Sequence, residues 1–321
     1  MPAATTPRHR APAQPATDYD VMIIGAGSAG LSAALVLGRC LRRVLVCDGG
    51  KPRNAPSPAV HGFLTRDGML PDELLRLGRE QLTPYKTVEV REARVLKVEV
   101  MSKYFRLTLE GATGHLTTYT TRKVLLATGV DDELPPLDGM RELWGSGVLH
   151  CPYCHGWEVR DKPLAVYGKH KSVTGLALLV SRWSNDIIVC TDGWKGLTPN
   201  ARRRLRRQGI TVREEEIERL VGTPEGDLKH LLLKSGEKLA RKAVFIHAHQ
   251  HQRSPIAEQL GCSRSEKGAI LVDKDQQTSI RGFYAAGDIT PGTQQALLAA
   301  AKGCQAAICI NETLTREECP K

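Results

Sequence analysis

Near the middle of the chain two cysteines stand two residues apart, in His150-Cys151-Pro152-Tyr153-Cys154-His155-Gly156-Trp157-Glu158. A pair at this spacing closes a small disulfide, supplies half of a zinc site, or stays inert as buried thiols. Structural zinc needs a second ligand pair at matching spacing, and the sequence has no second Cys-x-x-Cys. Cys40, Cys47, Cys190, Cys262, Cys304, Cys309 and Cys319 bring the total to nine. An odd, scattered set is not the framework of a secreted disulfide scaffold, and most of these residues read as small buried hydrophobes. The use of Cys151 and Cys154 therefore rests on what surrounds them.

The surrounding elements begin with a nucleotide-binding signature. Tyr19-Asp20-Val21-Met22-Ile23-Ile24 reads as a buried parallel strand, Gly25-Ala26-Gly27-Ser28-Ala29-Gly30 follows at once, and an apolar helix runs from Leu31 to about Leu41. Gly25 allows the tight turn, Gly27 lets backbone approach a pyrophosphate, and Gly30 lets helix and strand pack closely. The helix start, with Ser28 and Ala29, offers N–H groups and a positive partial charge to the phosphates. A second strand, Val44 to Cys47, ends on Asp48. Asp48 can accept both ribose hydroxyls of an adenosine and would repel a 2′-phosphate, so FAD or NAD fits and NADP does not.

The loop from Gly49 to Phe63 is punctuated by glycine and proline, and loops leaving such strand ends line the ligand crevice. Asn54 and His61 are candidate flavin neighbours on that ground. Helical pattern resumes from Pro71 to about Leu82, and alternation predicts an antiparallel layer over Val88 to Val100 and Tyr104 to Leu109. Val124-Leu125-Leu126-Ala127-Thr128-Gly129 is another buried strand with a glycine turn. Far downstream, Phe283-Tyr284-Ala285-Ala286-Gly287-Asp288 is a strand ending in Gly-Asp, before a helix that begins near Gln294 and continues through Gln295 and Ala296. A carboxylate there can hold a polyol hydroxyl, and a helix start can face a flavin carbonyl. An extended FAD needs this second, remote site; NAD does not.

Composition sets bounds on the rest. The 321 residues, 41% hydrophobic and 25% charged, suit a soluble globular protein of two domains. No apolar run reaches the roughly 18 residues needed to span a bilayer, so no membrane role is expected. Residues 1–18 are rich in Pro and Ala, lack the apolar core of a secretory signal, and read as a disordered tail of a cytoplasmic protein. Net charge is +10, from 45 basic and 35 acidic residues, densest at Arg202-Arg203-Arg204-Leu205-Arg206-Arg207. Without a nucleic-acid motif or interleaved aromatics this is a solvated helix face, or a surface for an acidic protein, and not a nucleic-acid site.

In order, the glycine fingerprint, Ala127-Thr128-Gly129, the Cys151–Cys154 pair and Ala286-Gly287-Asp288 resemble the low-molecular-weight thioredoxin reductase family over residues 19 to 312. The resemblance implies an α/β protein with two Rossmann-like, three-layer nucleotide-binding domains, the second inserted into the first. The FAD domain would comprise 19–129 and 253–321, and the inserted domain 130–252 would carry the redox cysteines. It further implies a homodimer, and FAD contacts from Gly25, Gly27, Gly30, Asp48, Asp288, Gln295 and Ala296. In this setting Cys151 and Cys154 read as redox-active: Cys154 would face the flavin and Cys151 engage the substrate. No metal is expected.

The inserted domain departs from the family. Leu164 to Tyr167 is its first strand, a helix runs from about Ser172 to Trp183, and Ile187 to Cys190 is its next strand. The turn between strand and helix reads Gly168-Lys169-His170-Lys171-Ser172-Val173, where a second glycine fingerprint belongs. Thr191-Asp192-Gly193 stands where the family has a basic cluster for a 2′-phosphate, and His247-Ala248-His249-Gln250-His251 replaces a further glycine turn. These changes argue against NADPH. Lys169, Lys171 and the histidines leave room for a second flavin or another nucleotide; the alternating histidines are read as polar, not metal-binding.

Where the family has an acid after the second cysteine this chain has His155, suited to move a proton to or from a thiol. The Cys-Cys-His form followed by Gly156 and an aromatic resembles the dithiol oxidases that close disulfides in small natural products, passing electrons through FAD to oxygen without NADPH. Other reductase-like relatives take electrons from reduced ferredoxin, an acidic partner compatible with the basic surface. The expected function is thus FAD-dependent exchange between the Cys151–Cys154 pair and a protein or small-molecule dithiol or disulfide. The alternatives are oxygen-dependent dithiol oxidation, a ferredoxin- or second-flavin-linked reductase, and a non-catalytic flavin sensor.

Overall fold

The computed structural model describes residues 17–319. The tail expected over 1–18 lies outside the described residues up to residue 16, but Thr17 and Asp18 are held in place. Thr17 carbonyl accepts from Arg43 Nη1 at 2.9 Å, and the Asp18 carboxylate accepts from Thr120 N–H and Oγ1–H, both at 2.8 Å. Thr17 and Asp18, expected in the tail, are thus fixed by bonds to Arg43 and Thr120.

The chain divides into two compact units. The first comprises residues up to Lys51, then Leu75–Gly129 and Gln252 onward; the second comprises Pro52–Leu74 and Val130–His251. The segment 52–74, expected within the first domain, therefore groups with the second unit. Arg53 binds Asp132 through two 2.7 Å bonds, and Gly145 sits so close to Pro56 that an added Cβ would meet the Pro56 carbonyl oxygen at 2.6 Å.

In the first unit Tyr19–Ile24 lies parallel between Val44–Asp48 and Leu116–Leu126. Val88–Val100 extends the parallel sheet beyond Val44–Asp48, and Phe283–Ala285 extends it beyond Leu116–Leu126. Val88–Val100 and Leu116–Leu126 are longer than the sheet needs. They also pair antiparallel with Phe105–Gly111, so two strands serve both layers. The first half of Leu116–Leu126 escaped the sequence reading because Thr117 to Thr121 has no apolar alternation; pairing to Phe105–Gly111 makes it a strand.

The helix Ser28–Arg39 packs against the C-terminal helix Ala296–Glu318, and their Ala29, Ala33, Ala34, Ala306, Ala307 and Ile310 are buried in one core with Val21, Ile23 and Leu125. Contact is closest at Gly303, where a Cβ would lie 2.0 Å from the Ala29 carbonyl oxygen. Only glycine fits there, which brings the two helices together beside the strand ends.

The second unit holds a five-stranded parallel sheet in the order Thr211–Arg213, Ile187–Cys190, Leu164–Tyr167, Ala243–Ile246, Val148–Leu149. Leu164–Tyr167, Ile187–Cys190 and Ala243–Ile246 are buried throughout, as continuous apolar runs in a covered parallel sheet should be. The helices Val173–Val180 and Pro199–Arg207 contribute Val173, Ala177, Val180 and Leu205 to one core cluster with this sheet. Ile217–Gly222, Leu228–Leu233 and Lys238–Ala240 form a separate antiparallel layer. Finally, Val130–Glu133 and His249–Gln252 pair as a two-stranded sheet, so part of the histidine run read as a polar turn is a strand. The α/β class with Rossmann-type units is the observed fold.

Candidate active site

The turn after Tyr19–Ile24 is built by glycines that leave no alternative. Gly25 has φ +111° and a Cβ there would lie 2.4 Å from the Ala127 carbonyl oxygen; a Cβ on Gly30 would lie 1.8 Å from the Gly25 carbonyl oxygen. Gly27 is different, because nothing lies within 4 Å of the position its Cβ would take. The first two glycines serve the packing of the turn, and the third leaves its face open for an approaching group.

The other expected flavin residues of this unit converge on the same strand ends. Ser28 opens its helix after Gly27, with no side chain capping the first N–H groups; Gln295 precedes Ala296 in the same uncapped manner. Both helix starts thus present backbone donors without an internal acceptor, an arrangement suited to phosphate or carbonyl oxygens. Thr128 Oγ1 is buried with no hydrogen-bond partner among the described residues, between Ala127 and Gly129 (φ +72°). Gly287 has φ +88°, and its Cβ would come within 3.1 Å of the Ala29 Cβ. Asp288 follows it, and its carbonyl accepts from Gln294 Nε2 at 3.2 Å. These features fit a long anionic dinucleotide: an open glycine, two uncapped helix starts and an orphaned hydroxyl.

Asp48, expected at the ribose, accepts the Gly50 N–H at 2.8 Å and pairs with Arg79 at 2.5 Å. Sequence reading did not foresee Arg79, which comes from the helix Pro71–Glu80. Asn54 and His61 belong to the second unit, whereas the other expected flavin residues belong to the first.

The cysteine pair forms a disulfide. Cys151 precedes the one-turn helix Pro152–His155, with Pro152 at its first position, where the missing N–H costs nothing. Cys151 Sγ accepts the Cys154 N–H at 3.1 Å, a bond that favours negative charge on this sulfur. Gly156 closes the turn: a Cβ would meet the Pro152 carbonyl oxygen at 2.5 Å and the Trp183 ring at 2.7 Å. Tyr153 and Trp157, flanking Cys154, are both exposed. Tyr153 meets Trp183 edge-on, and the Arg160 guanidinium lies 3.8 Å from the Trp157 ring centre.

Three histidines surround this turn. Burial holds His155 down to about 4, with smaller contributions from His150 and His61, so the ring is neutral at pH 7. Burial likewise lowers His150 to about 4, and its ring stacks on Trp144 at 5.4 Å. The His61 ring stands perpendicular to that of His155, 6.2 Å away, with Asp67 and Glu158 carboxylates each 3.5 Å from its nitrogens. His150 and Glu158 were visible in the sequence only as flanking residues; folding of the loop 52–74 onto this turn gives them company.

The second turn, after Leu164–Tyr167, is filled by its own side chains. Ser172 Oγ lies 2.6 Å from His170 Nδ1 and 3.0 Å from His247 Nδ1. Lys169 pairs with Asp192 at 2.7 Å, and Asp192 also accepts the Ile217 N–H at 2.8 Å and the Tyr167 hydroxyl at 3.2 Å. Despite its own burial, these partners hold the Asp192 carboxyl below its usual range, so a negative charge stands where a basic cluster was expected.

Both turns, and the disulfide between them in sequence, define a flavin-dependent disulfide oxidoreductase built on two nucleotide folds. Residues 19–303 match the pyridine nucleotide-disulphide oxidoreductase family, and the chain belongs to it. It is 30% identical to a probable thioredoxin reductase of Arthroderma benhamiae, over 95% of this chain and 83% of that protein. Among solved structures it is similar to HlmI, with 39% identity, a TM-score of 0.86 and 93% of each chain covered. A putative thioredoxin reductase from Bacillus anthracis superposes with a TM-score of 0.87 at 34% identity, over 94% of this chain and all of that one. The protein is accordingly a thioredoxin reductase-like enzyme that binds FAD and works on disulfides.

Proposed function

We propose that the enzyme exchanges electrons between its Cys151–Cys154 pair and an external dithiol without a nicotinamide nucleotide, and that it runs toward dithiol oxidation. The observation that carries this reading is the plugged second turn. His170, Ser172 and His247 occupy the space a pyrophosphate needs beside the strand end, and Asp192 stands against a 2′-phosphate. His155 supports that direction: an imidazole that is neutral at pH 7 can accept a proton from an incoming thiol.

In the proposed reaction a substrate thiolate attacks Cys151 Sγ and breaks the Cys151–Cys154 bond, and Cys154 leaves as the thiolate. The second substrate thiol then attacks the substrate sulfur of the mixed disulfide, forming the product disulfide and releasing Cys151. His155 takes up a proton given by substrate. Bound FAD supplies the two-electron couple that returns the pair to the disulfide, with dioxygen as final acceptor, so that one dithiol and one O₂ give one disulfide and one H₂O₂. Gly25, Gly27, Ser28, Ala29 and Gly30 would hold its pyrophosphate, Asp48 its ribose, and Asp288 its polyol chain. Gln295 and Ala296 would meet its ring, with Ala127, Thr128, Gly129 and Gly287 beside it, and Asn54 and His61 as further neighbours.

The domain assignment proposed is an FAD domain from both ends of the chain and a second domain carrying the cysteines. A homodimer is supported by Leu297, Leu298 and Ile308, which are exposed on the C-terminal helix. Unpaired thiols at the seven remaining cysteines suit the reducing cytoplasm. One observation favours a second reading: Arg203, Arg204, Arg206 and Arg207 are exposed together on Pro199–Arg207, a surface complementary to an acidic donor such as ferredoxin.

The test is anaerobic reduction of the yellow holoenzyme by NADPH, NADH, dithiothreitol or reduced ferredoxin in turn. Dithiothreitol should bleach the flavin and air restore it, with no reaction to either nicotinamide. Rapid bleaching by NADPH overturns the proposal, and bleaching by ferredoxin alone selects the second reading.

A further inference from the structure

We propose that Glu133, His249 and His251 bind a divalent transition-metal ion of the zinc type. The strands Val130–Glu133 and His249–Gln252 pair in a two-stranded sheet, and successive side chains of a strand face opposite ways. Asp132 and Gln250 turn to one side and bond each other at 3.2 Å. Glu133, His249 and His251 are exposed on the other, and one ligand atom from each lies within 4.8 Å of the rest. His251 Nε2 is 2.7 Å from Glu133 Oε2, and the two imidazole rings stand 4.8 Å apart at 79°.

Zinc takes imidazole nitrogen and carboxylate oxygen at about 2.0–2.2 Å, which sets ligand atoms of a tetrahedral site roughly 3.4 Å apart. Rotation of exposed side chains by about an ångström closes that difference. The ligand set selects the metal: two imidazoles suit zinc, copper or nickel, whereas magnesium and calcium take oxygen ligands. Three protein ligands leave a coordination position for water or an outside ligand. His247, in the same alternation, is excluded because its ring is engaged with Ser172. An ion held here ties together the two strands at which the chain passes between its units, after Gly129 and after His251.

Calorimetric titration with zinc chloride of oxidised holoenzyme whose free thiols have been alkylated tests the site, since neither the closed Cys151–Cys154 disulfide nor the capped cysteines can compete. The wild type should take up one equivalent that His249→Gln and His251→Gln each bind at least about tenfold more weakly, as removal of one ligand in three requires. His115→Gln, an exposed histidine elsewhere, should titrate like the wild type. Flavin absorbance checks that each variant is folded, and cobalt substitution of the wild type gives a second readout. Uptake that is absent, or undiminished in both variants, overturns the proposal, as does a thiolate-to-cobalt charge-transfer band.

Discussion

The imidazoles of His170 and His247 lie nearly parallel, their centres 5.9 Å apart and their planes inclined by only 8°. They follow the neighbouring parallel strands Leu164–Tyr167 and Ala243–Ile246, beyond the same end of the sheet, and Ser172 Oγ bonds to both. Burial, then the neighbouring His170, lowers the His247 pKa, which favours its neutral ring. The second turn thus carries its own side-chain hydrogen bonds at the proposed point of nucleotide approach. Titration of the holoenzyme with NADPH should show no saturable binding, while His170→Gly combined with His247→Gly should raise affinity at least about tenfold by readmitting backbone approach. Equal behaviour of the two proteins would show that the stack is not the obstacle.

Cys151→Ser and Cys154→Ser should each lower turnover with a dithiol by about a thousandfold or more, because neither leaves a disulfide to exchange. Flavin content should stay at the wild-type level in both. Oxygen uptake with dithiothreitol measures the first outcome and absorbance the second.

The pH dependence separates His155 from an ordinary surface histidine. Its native pKa is about 4, and that of His150 is also about 4, against 6.5 for an unperturbed ring. Once the rate is divided by the substrate's thiolate fraction, a step that needs neutral His155 should hold as pH falls past 6.5 and decline with a midpoint near 4; a midpoint at 6.5 contradicts the assignment. Stability follows the same sign. Between pH 6.5 and 4 the unfolded chain binds protons at both rings while the native chain does not, so stability is full above 6.5 and lost as pH falls toward 4. Urea midpoints measured across that range should decrease monotonically.

Two glycines of the first turn should respond oppositely. Gly27→Val introduces a side chain into open space, so the apoprotein should melt close to wild type yet bind FAD about a hundredfold more weakly. Gly30→Ala drives a methyl into the Gly25 carbonyl and should destabilise the fold itself by about 2–3 kcal/mol or more. Thermal melts of apoprotein and flavin fluorescence titrations distinguish the two.

Gly156→Ala tests the cysteine turn. The added methyl meets both the Pro152 carbonyl and the Trp183 ring, so a loss of about 1–3 kcal/mol in stability is expected with a slower thiol–disulfide exchange. Chemical denaturation and stopped-flow reaction with dithiothreitol measure the two effects.

Much of this molecule could be read along the chain. The strand, glycine turn and helix of residues 19–39, the Gly-Asp strand end at 287–288 and the Cys151–Cys154 spacing each act over a few residues, where backbone geometry and side-chain size decide the outcome locally. The departures at Gly168 to Val173 and at Asp192 were legible for the same reason. What the chain could not disclose is who meets whom across long separations. Glu133 reaches His251 across 118 residues and Arg53 reaches Asp132 across 79, while Ser172 touches His247 across 75. Asp48 gained Arg79 and His155 gained His61 in the same way. Strand pairing and helix packing set those encounters, because a side chain's charge and burial depend on the neighbours the whole fold brings to it. Residue types therefore announced the flavin turn and the dithiol, and tertiary packing alone brought His170 beside His247, half-covered His155 and gathered a carboxylate with two imidazoles.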